Sequence, residues 1–509
     1  METKTAAIEM RNITKRFGPV LANDKVWLNI YRGEILALLG ENGSGKTTLM
    51  NMLSGIYFPD EGEIKIDGKE VVIRSPKDAF DNGIGMIHQH FKLVDVLTAA
   101  ENIVLGLPGK LDLKAASAKI REICDKYGFS VDPAQKIYDM SVSQKQTVEI
   151  VKVLYRGADI LILDEPTAVL TPQETDKLFA VLRNMRNDGK AIVIITHKMH
   201  EVEALSDRVA ILRHGQFLGD MLTAHTNAQE MTNMMVGHAV SLNIERPDPV
   251  DPKPRIEVKG LTVRSVDGIV KLDDVSFTAN SGEILGIAGI SGCGQKELLE
   301  AIAGLQTVES GSISYIEDDG SREELIGKDP LSIAELGVSL SFVPEDRLGM
   351  GLVGNMNLAD NMMLRSFRRG KSIFTDRRSP RALAESVVQE LSVSTPSVDT
   401  PVRRLSGGNV QKVLVGREIA SAPTVLLTAY AVRGLDIHSS YTIYDLINRQ
   451  KKAGVAVIFV GEDLDVLLEL CDRILVLCGG KVSGIVSGRG AEKREVGMMM
   501  TKLGGQSHE

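Results

Sequence analysis

The stretch GENGSGKT at positions 40–47 has the residue types and spacing of a phosphate-binding loop. It follows the apolar run EILALLG and leads into TTLMNMLSG, so it has the strand before it and the helix after it that such a loop needs. Glycines let backbone N–H groups face a phosphate, Lys46 can reach its outer oxygens, and the Thr47 hydroxyl can hold Mg²⁺. The alternative is a glycine-rich turn with an incidental lysine.

Further candidate residues follow three other apolar runs. ILILDEPT ends in an acid pair, in which Asp164 would hold a metal and Glu165 would orient or deprotonate an attacking water. Such a pair can also be a helix cap. His197 ends the run IVIITH, and Gln89 follows IGMIH. Because the carboxyl ends of parallel strands share one edge of a sheet, where α/β proteins bind ligands, we expect these side chains to meet there.

The apolar runs themselves predict the elements that position these residues. EILALLG, ADILILD and AIVIITH are short and continuous, which is typical of strands buried on both faces of a mainly parallel sheet. In TPQETDKLFAVLRNMRNDGK, Thr171 is a predicted N-cap, Pro172 takes the first helical position, and Gly189 ends the helix. The alternation of strand and helix predicts an α/β domain.

The sequence pattern of this domain occurs twice along the chain, as a tandem duplication. Three pairs of segments match in order: IEMRNIT with IEVKGLT, GEILALLG with GEILGIAG, and SDRVAIL with CDRILVL. Between the halves, ERPDPVDPKPR contains four prolines and is predicted to be a linker. We therefore expect a first domain at 1–240, a linker at 241–254 and a second domain at 255–509.

Composition limits the class of protein. The chain has 509 residues, 43% hydrophobic and 25% charged, as in soluble globular proteins, and its net charge of −8 disfavours nucleic acid as the main partner. A basic cluster within 365–378 is interpreted as solvated surface. Four cysteines without C-x-x-C spacing fit a reducing compartment. No apolar run approaches the ~18 residues of a membrane span, so we expect a cytosolic chain that reaches a membrane only through a partner.

Taken together, the motifs resemble those of the ABC-type ATPases over essentially the whole chain. GENGSGKT resembles the Walker A motif, LILDE resembles Walker B with the catalytic glutamate, and Gln89, His197 and Phe17 resemble the Q-loop glutamine, the switch histidine and the adenine-stacking aromatic. The resemblance implies an α/β fold with two tandem P-loop NTPase domains. Each would have a mainly parallel core sheet, an antiparallel β subdomain and a helical subdomain. ATP and Mg²⁺ are the implied ligands.

The second half has lost most of these residues. In GISGCGQK, Gln295 and Lys296 stand where Lys46 and Thr47 stand. Losing the lysine removes a charge-assisted contact of roughly 1.5 to 3 kcal/mol, and a cation at the threonine position would repel a metal. At the other matched positions Ala429 replaces Asp164, Tyr430 replaces Glu165, Glu462 replaces His197 and Glu345 replaces Gln89, and no aromatic residue matches Phe17.

The signature motif shows the opposite loss. LSGGNVQ at 405–411 is intact in the second half, whereas MSVSQKQ at 140–146 lacks both signature glycines. Ser406 and the two glycines after it can bring a helix N-terminus against a γ-phosphate, although the same string would make a simple capped helix start. Asp436 has Thr171 as its first-half counterpart.

The resemblance implies that the two domains pair face to face within one chain, so that each ATP lies between the Walker motifs of one domain and the signature of the other. One site is then complete. Its predicted residues are Gln89, Glu165 and His197 for catalysis; Thr47, Gln89 and Asp164 for the metal; and Phe17, Gly40, Glu41, Asn42, Gly43, Ser44, Gly45, Lys46, Thr47, Thr48, Asp164, Ser406, Gly407, Gly408, Asn409 and Asp436 for the nucleotide. The other site lacks a general base, which contributes about 10² to 10⁴ in rate, and is expected to turn over slowly if at all.

Two further motifs narrow the resemblance. VPEDRLGMGLV and RGLDIHSS are similar to the degenerate second half of ATP-binding subunits in bacterial uptake systems for simple sugars and nucleosides. HQHFKLVDVLTAAENIVLG resembles the nucleoside-type members more than the ribose or galactose type. Ser143 in the first signature and the run Tyr430–Val432 depart from the family pattern, which makes nucleotide binding at the second site doubtful.

The resemblance implies two membrane permease subunits, a surface solute-binding protein acting through them, no nucleic acid, and a place at the cytoplasmic face of the cell membrane. Two alternatives stay open. One is the same ATPase role in a monosaccharide importer. The other is a soluble tandem ABC ATPase acting on ribosomes or nucleic acid, a class that usually has a long charged linker and two competent sites.

Overall fold

The computed structural model describes residues 6–88, 91–109, 111–168, 170–237, 244–265, 267–290, 292–335, 340–344, 346–367, 375–461 and 463–501. It divides into two compact units, Met1–Ser241 and Leu242–Glu509. The division falls at the start of the predicted linker.

The first unit alternates strands with helices. In chain order it contains β1 (Ala6–Phe17), β2 (Val20–Tyr31), β3 (Glu34–Leu39), α1 (Lys46–Leu53), β4 (Glu61–Ile66), β5 (Lys69–Val71), α2 (Pro76–Asp81), β6 (Ile84–Ile87), α3 (Ala99–Val104), α4 (Leu113–Tyr127), α5 (Val142–Tyr155), β7 (Ile160–Asp164), α6 (Pro172–Asn187), β8 (Ala191–Ile195), α7 (Met199–Leu205), β9 (Arg208–Arg213), β10 (Gln216–Leu222) and α8 (Ala228–Val236).

These strands form two sheets in the first unit. One has the order β2-β1-β4-β5 and is antiparallel, and the other has the order β10-β9-β3-β8-β7-β6 and is parallel except at β10. Every residue of β3, β7 and β8 is buried, as their continuous apolar sequences predict. The mainly parallel core sheet and the antiparallel sheet confirm the predicted fold class.

Helices α3, α4 and α5 pack around an apolar core of their own, which includes Ile103, Ile120, Val148 and Val151. This is the predicted helical subdomain. The start of α6 is also as predicted, because Thr171 accepts a hydrogen bond from Glu174 N and Pro172 takes the first helical position.

The second unit repeats the alternation. It contains β11 (Pro254–Arg264), β12 (Val270–Asn280), β13 (Ile284–Ala288), α9 (Gln295–Ile302), β14 (Ser310–Ile316), β15 (Arg322–Glu324), α10 (Pro330–Glu335), β16 (Leu340–Val343), α11 (Leu358–Met363), α12 (Arg378–Glu390), α13 (Gly407–Ala420), β17 (Val425–Ala429), α14 (Ile437–Lys452), β18 (Ala456–Val460), α15 (Leu464–Leu470), β19 (Arg473–Cys478), β20 (Lys481–Ser487) and α16 (Lys493–Met499).

The sheets of the second unit have the same topology as those of the first. The antiparallel sheet has the order β12-β11-β14-β15 and the mainly parallel sheet the order β16-β17-β18-β13-β19-β20. Strands β13, β17 and β18 match β3, β7 and β8, and all of their residues are buried. The duplication predicted from the sequence is therefore a duplication of the complete fold.

Part of the predicted linker packs on the second unit. Ile244 is buried in its apolar core. Asn448 Nδ2 donates to the carbonyl of Glu245 at 2.8 Å, and Lys451 Nζ donates to the carbonyl of Pro247 at 2.5 Å. The first linker proline, Pro247, thus belongs to a segment that is anchored to α14, and the last, Pro254, begins β11.

The four cysteines are buried or half-buried. All four are free thiols, and burial raises the pKa of Cys471, which has no exposed surface. In the described part of the chain, no helix has the length and apolar character that a bilayer crossing requires.

Candidate functional site: the phosphate-binding loop and its sheet edge

The loop from Gly40 to Gly45 joins β3 to α1 and turns tightly over the end of the sheet. Gly45 has φ 98°, and a Cβ atom there would lie 2.3 Å from the carbonyl oxygen of Ala22, so only glycine fits. The helix that follows directs its first N–H groups into this loop, which is the arrangement that binds phosphate. The loop therefore lies between a strand and a helix, as its sequence predicts.

Lys46 is the first residue of α1 and is buried. Its Nζ atom donates to the carbonyls of Gly40 and Glu41 at 2.7 and 2.9 Å, which holds the ammonium inside the loop. Burial lowers the pKa of Lys46, and the nearby carboxylate of Glu165 opposes this shift. A cation held in this way can bind the outer oxygens of a phosphate chain.

The other predicted loop residues line the same turn. Ser44 is buried, and within the described residues its Oγ atom lacks a hydrogen-bond partner, so its hydroxyl can donate to a phosphate oxygen. The more exposed positions of the predicted set are Glu41, Asn42, Gly43, Thr47 and Thr48, which are half-buried or solvent-exposed. The loop thus offers polar groups that fit a nucleotide phosphate.

Asp164 ends β7 below the start of α1. Thr47 Oγ1 donates to Asp164 Oδ2 at 3.4 Å, which brings together a hydroxyl and a carboxylate of the kind that hold Mg²⁺ beside phosphate oxygens. Burial, and then the charge of Glu165, raise the pKa of Asp164 to about 6. A cation bound to this carboxylate would relieve both effects, so these residues fit the metal.

Glu165 and His197 lie next to each other at the same edge of the sheet. His197 Nδ1 donates to Glu165 Oε1 at 3.0 Å, and this hydrogen bond lowers the pKa of Glu165. Glu165 has φ 47°, a left-handed conformation that is uncommon outside glycine and is often found at functional sites. Its N–H donates to the carbonyl of Ile195 on β8 at 2.9 Å, so the two neighbouring strands position the pair.

Phe17 ends β1 and is 41% exposed. Its ring lies 5.1 Å from that of Tyr57, edge to face at 70°, and Lys15 Nζ lies 5.6 Å from the Phe17 centroid. Tyr57 was not among the predicted site residues, although the consecutive aromatic residues Tyr57 and Phe58 after α1 are visible in the sequence. Gln89 lies outside the described residues, and its predicted role stays a prediction.

At the matched positions the second unit has a similar backbone conformation but different side chains. Gln295 begins α9 after Gly294, whose φ is again 98°, and its Nε2 donates to the carbonyl of Ile290 at 3.2 Å. Tyr430 has φ 53°, and its N–H donates to the carbonyl of Val460 at 2.9 Å, just as in Glu165. The residue matches made from the sequence alone are therefore correct at these positions.

Three more replacements in the second unit are Lys296, Glu345 and Glu462. Lys296 is exposed at the end of its side chain and lies 3.8 Å from Glu300. Glu345 and Glu462 lie outside the described residues.

The signature residues of the second unit form a helix start. Ser406 caps α13, and its Oγ accepts from Asn409 N at 3.4 Å and from Asn409 Nδ2 at 2.9 Å. Arg347 donates to the carbonyls of Gly407 and Arg433, which ties this helix start to the loop before Asp436. Arg347 belongs to the VPEDR motif, from which this contact was not predicted.

Asp436 and Ser141 are helix caps too. Asp436 caps α14 through Ser439 N at 2.7 Å, and Ser141 caps α5 in a capping box with Gln144. The capping alternative is thus correct for both signature serines and does not separate them. The predicted pairing of Ser406, Gly407, Gly408, Asn409 and Asp436 with the loop of the first unit stays a prediction.

Comparison with known proteins gives matches in both halves of the chain. A family model described as ABC transporter matches residues 23–168 and again 272–428. The chain is 42% identical to the nucleoside import ATP-binding protein NupA of Lactococcus lactis, with 99% of both chains covered. It is 39% identical to the glucose import ATP-binding protein TsgD13 of Haloferax volcanii, with 98% of this chain and 96% of that protein covered.

A solved structure shares the fold over both units. A chain in the crystal structure of the complex of archaeal ribosomal stalk protein aP1 and ribosome recycling factor aABCE1 matches with a TM-score of 0.60 and 16% identity, covering 91% of this chain and 87% of that one. This likeness concerns the fold alone. The two matches to the family model and the full-length relatives show that the chain belongs to the ABC transporter family, as an ATPase subunit with two cassettes in one polypeptide.

Proposed function

We propose that this chain hydrolyses ATP at the cytoplasmic face of the membrane to power uptake of a nucleoside through two separate permease subunits, to which a surface binding protein delivers the solute. The observation that carries the proposal is the assembly of Lys46, Asp164, Glu165 and His197 at one sheet edge beside a phosphate-binding loop. The relatives' names add the direction of transport, because two full-length relatives are import proteins.

Two small differences favour a nucleoside over a monosaccharide as the transported solute. The segment HQHFKLVDVLTAAENIVLG resembles nucleoside-type members, and the nucleoside import relative is 42% identical where the glucose import relative is 39%. The monosaccharide importer therefore remains the second candidate. The ribosome-associated alternative has only a likeness of fold in its favour, because the structural match has 16% identity.

Each residue of the site has a distinct task in phosphoryl transfer. Lys46 and the loop N–H groups bind the phosphate chain and neutralise its charge. Thr47 and Asp164 would hold Mg²⁺, with Gln89 as a further predicted ligand, and the bound ion would supply positive charge to the β- and γ-phosphate oxygens. These groups position the γ-phosphate at the sheet edge.

Glu165 acts on the attacking water. Its pKa is lowered by the hydrogen bond from His197, so it is ionised at neutral pH and accepts a hydrogen bond from the water. A weakly basic carboxylate suits a transition state in which the water has formed little bond to phosphorus, since orientation then matters more than early proton removal. His197 keeps the carboxylate facing that water.

We further propose that only this site turns over, with Ser406 to Asn409 and Asp436 completing it from the second unit. This proposal is supported by the replacements in the second unit, where Gln295 and Tyr430 occupy the backbone positions that Lys46 and Glu165 occupy in the first unit. A site without the cation or the base cannot do the chemistry described above.

The test is ATP hydrolysis by the purified full chain with Mg²⁺. We expect Glu165→Gln to reduce steady hydrolysis by about 10² to 10⁴-fold while ATP still binds, because the base is lost and the loop is intact. Tyr430→Phe is the matched control and should change the rate little. Substantial hydrolysis by Glu165→Gln would refute the assignment.

Transport is tested in cells that lack the chain. Expression of the wild type, and not of Glu165→Gln, should restore uptake of labelled nucleosides. Restored uptake of monosaccharides alone would instead establish the second candidate, and no effect on either would favour a role outside import.

A further inference from the structure

A buried carboxylate lies behind the catalytic pair of the first unit. Glu201, in the first turn of α7, is 2% exposed. Its Oε1 accepts from the hydroxyl of Thr167, and its Oε2 accepts from the hydroxyl of Thr196 at 3.0 Å. Lys198 Nζ lies 3.3 Å from Oε1 and balances the charge. Both threonines are themselves buried.

The two threonines belong to the two loops that carry the chemistry. Thr167 lies two residues after Glu165, in the loop that leaves β7, and Thr196 directly precedes His197, where the chain leaves β8. The side chain of Glu201 therefore links these two loops by two hydrogen bonds. The hydrogen bond from Glu165 N to the carbonyl of Ile195 is a further link between them. Fixing both loops fixes the 3.0 Å contact between Glu165 and His197.

The fold does not need this carboxylate. In the second unit Val432 stands for Thr167, Gly461 for Thr196 and Val466 for Glu201, while β17, β18 and α15 keep the places of β7, β8 and α7. Val432 and Val466 pack against the apolar core there. Burying an ionised group is costly compared with this apolar packing, so its presence in the first unit calls for a reason other than folding.

The replacements follow the catalytic residues. The unit that has Glu165 and His197 has the carboxylate and both hydroxyls, and the unit that has Tyr430 in place of the base has apolar side chains or no side chain at all three positions. We infer that Glu201 is a positioning residue for ATP hydrolysis, which holds the Glu165 and His197 loops in register through Thr167 and Thr196. This inference rests on the proposed ATPase site.

The experiment compares two substitutions at one position in the full chain. Glu201→Val installs the residue that the second unit has at the matched place, and should lower kcat by about 10²-fold with ATP affinity within about twofold of the wild type, because misplacing a catalytic group costs rate rather than binding. Glu201→Gln should retain most of the activity, since an amide can accept from one threonine hydroxyl and donate to the other.

A control and a second variant keep the test decisive. Glu203→Val, a change of the same kind at an exposed position of α7, should have wild-type kcat. If Glu201→Val does not fold, Thr196→Val removes one hydroxyl at nearly constant shape and should lower kcat in the same way with unchanged ATP binding.

Three results would overturn the inference. The first is a wild-type kcat in a folded Glu201→Val variant. The second, if Glu201→Val does not fold, is a wild-type kcat in Thr196→Val. The third is an equal loss of kcat in Glu201→Gln and Glu201→Val, which would assign the effect to the charge of Glu201. Absence of hydrolysis in the wild type would refute the proposed function, whereas an active wild type with an unaffected Glu201→Val would refute this inference alone.

Discussion

Lys46 and Gln295 occupy the same place in the two units of this chain, each at the first position of a helix and each directly after a glycine at φ 98°. Both side chains are buried and both bond to carbonyls of their own loop. At this position the two loops therefore share a backbone conformation and differ in side-chain charge, and the effect of that charge can be measured.

Lys46→Gln makes the first loop like the second. We expect ATP affinity, measured by calorimetry or with a fluorescent nucleotide, to fall by about 10-fold to 150-fold, since a charge-assisted contact of roughly 1.5 to 3 kcal/mol is lost. Gln295→Ala is the matched control and should leave the affinity of the competent site nearly unchanged. Equal weakening by both substitutions would contradict the assignment of one competent site.

Ser406→Arg tests the contribution of the second unit to catalysis. The substitution puts a long side chain where bare N–H groups are expected to meet the γ-phosphate, so hydrolysis should fall by about 10²-fold. Ser141→Arg is the control, because Ser141 is also a helix N-cap and its loss costs about the same 1 kcal/mol of helix stability. Equal losses of activity would argue against head-to-tail pairing of the units.

Gln411 and Gln146 give a test of stability rather than activity. Gln411 is 1% exposed, and in the described residues neither polar atom of its amide has a hydrogen-bond partner. In Gln146 the Oε1 atom also lacks a partner there, but Nε2 donates to the carbonyl of Pro166 at 2.5 Å. Gln411→Leu should therefore stabilise the chain by about 1 to 3 kcal/mol, because a buried amide without a partner is costly.

The matched substitution has the opposite sign. Gln146→Leu should destabilise the chain by about 1 kcal/mol, since it leaves the Pro166 carbonyl without its donor. The measurement is the midpoint of urea unfolding followed by circular dichroism. Destabilisation by both substitutions would mean that the Gln411 amide is satisfied.

Sequence reasoning was most successful where a function is carried by consecutive residues. The loop from Gly40 to Thr47, the acid pair at the end of β7 and the cap at Thr171 each depend on local spacing, and each lies where it was predicted. The duplication extended this success, because a repeat predicts which residues share a backbone position. Glu165 and Tyr430, with φ 47° and 53°, confirm that match.

The residues that sequence reasoning missed act through contacts between distant parts of the chain. Tyr57 meets Phe17 across forty positions, Arg347 reaches Gly407, and Glu201 joins two loops that leave different strands. The aromatic pair Tyr57–Phe58 is visible in the sequence, but no periodicity or motif shows which residue each of these side chains contacts, because packing selects the partner.

The amino-acid sequence by itself determined the family and the two α/β units, and it predicted which residues bind phosphate and act on water. These are properties of short motifs whose chemistry depends on residue type and spacing. Tertiary structure decided that Glu165 contacts His197, that Thr47 meets Asp164, and that a buried carboxylate lies behind them. The physical reason is that parallel strand order, which no local pattern encodes, brings the ends of β7 and β8 together.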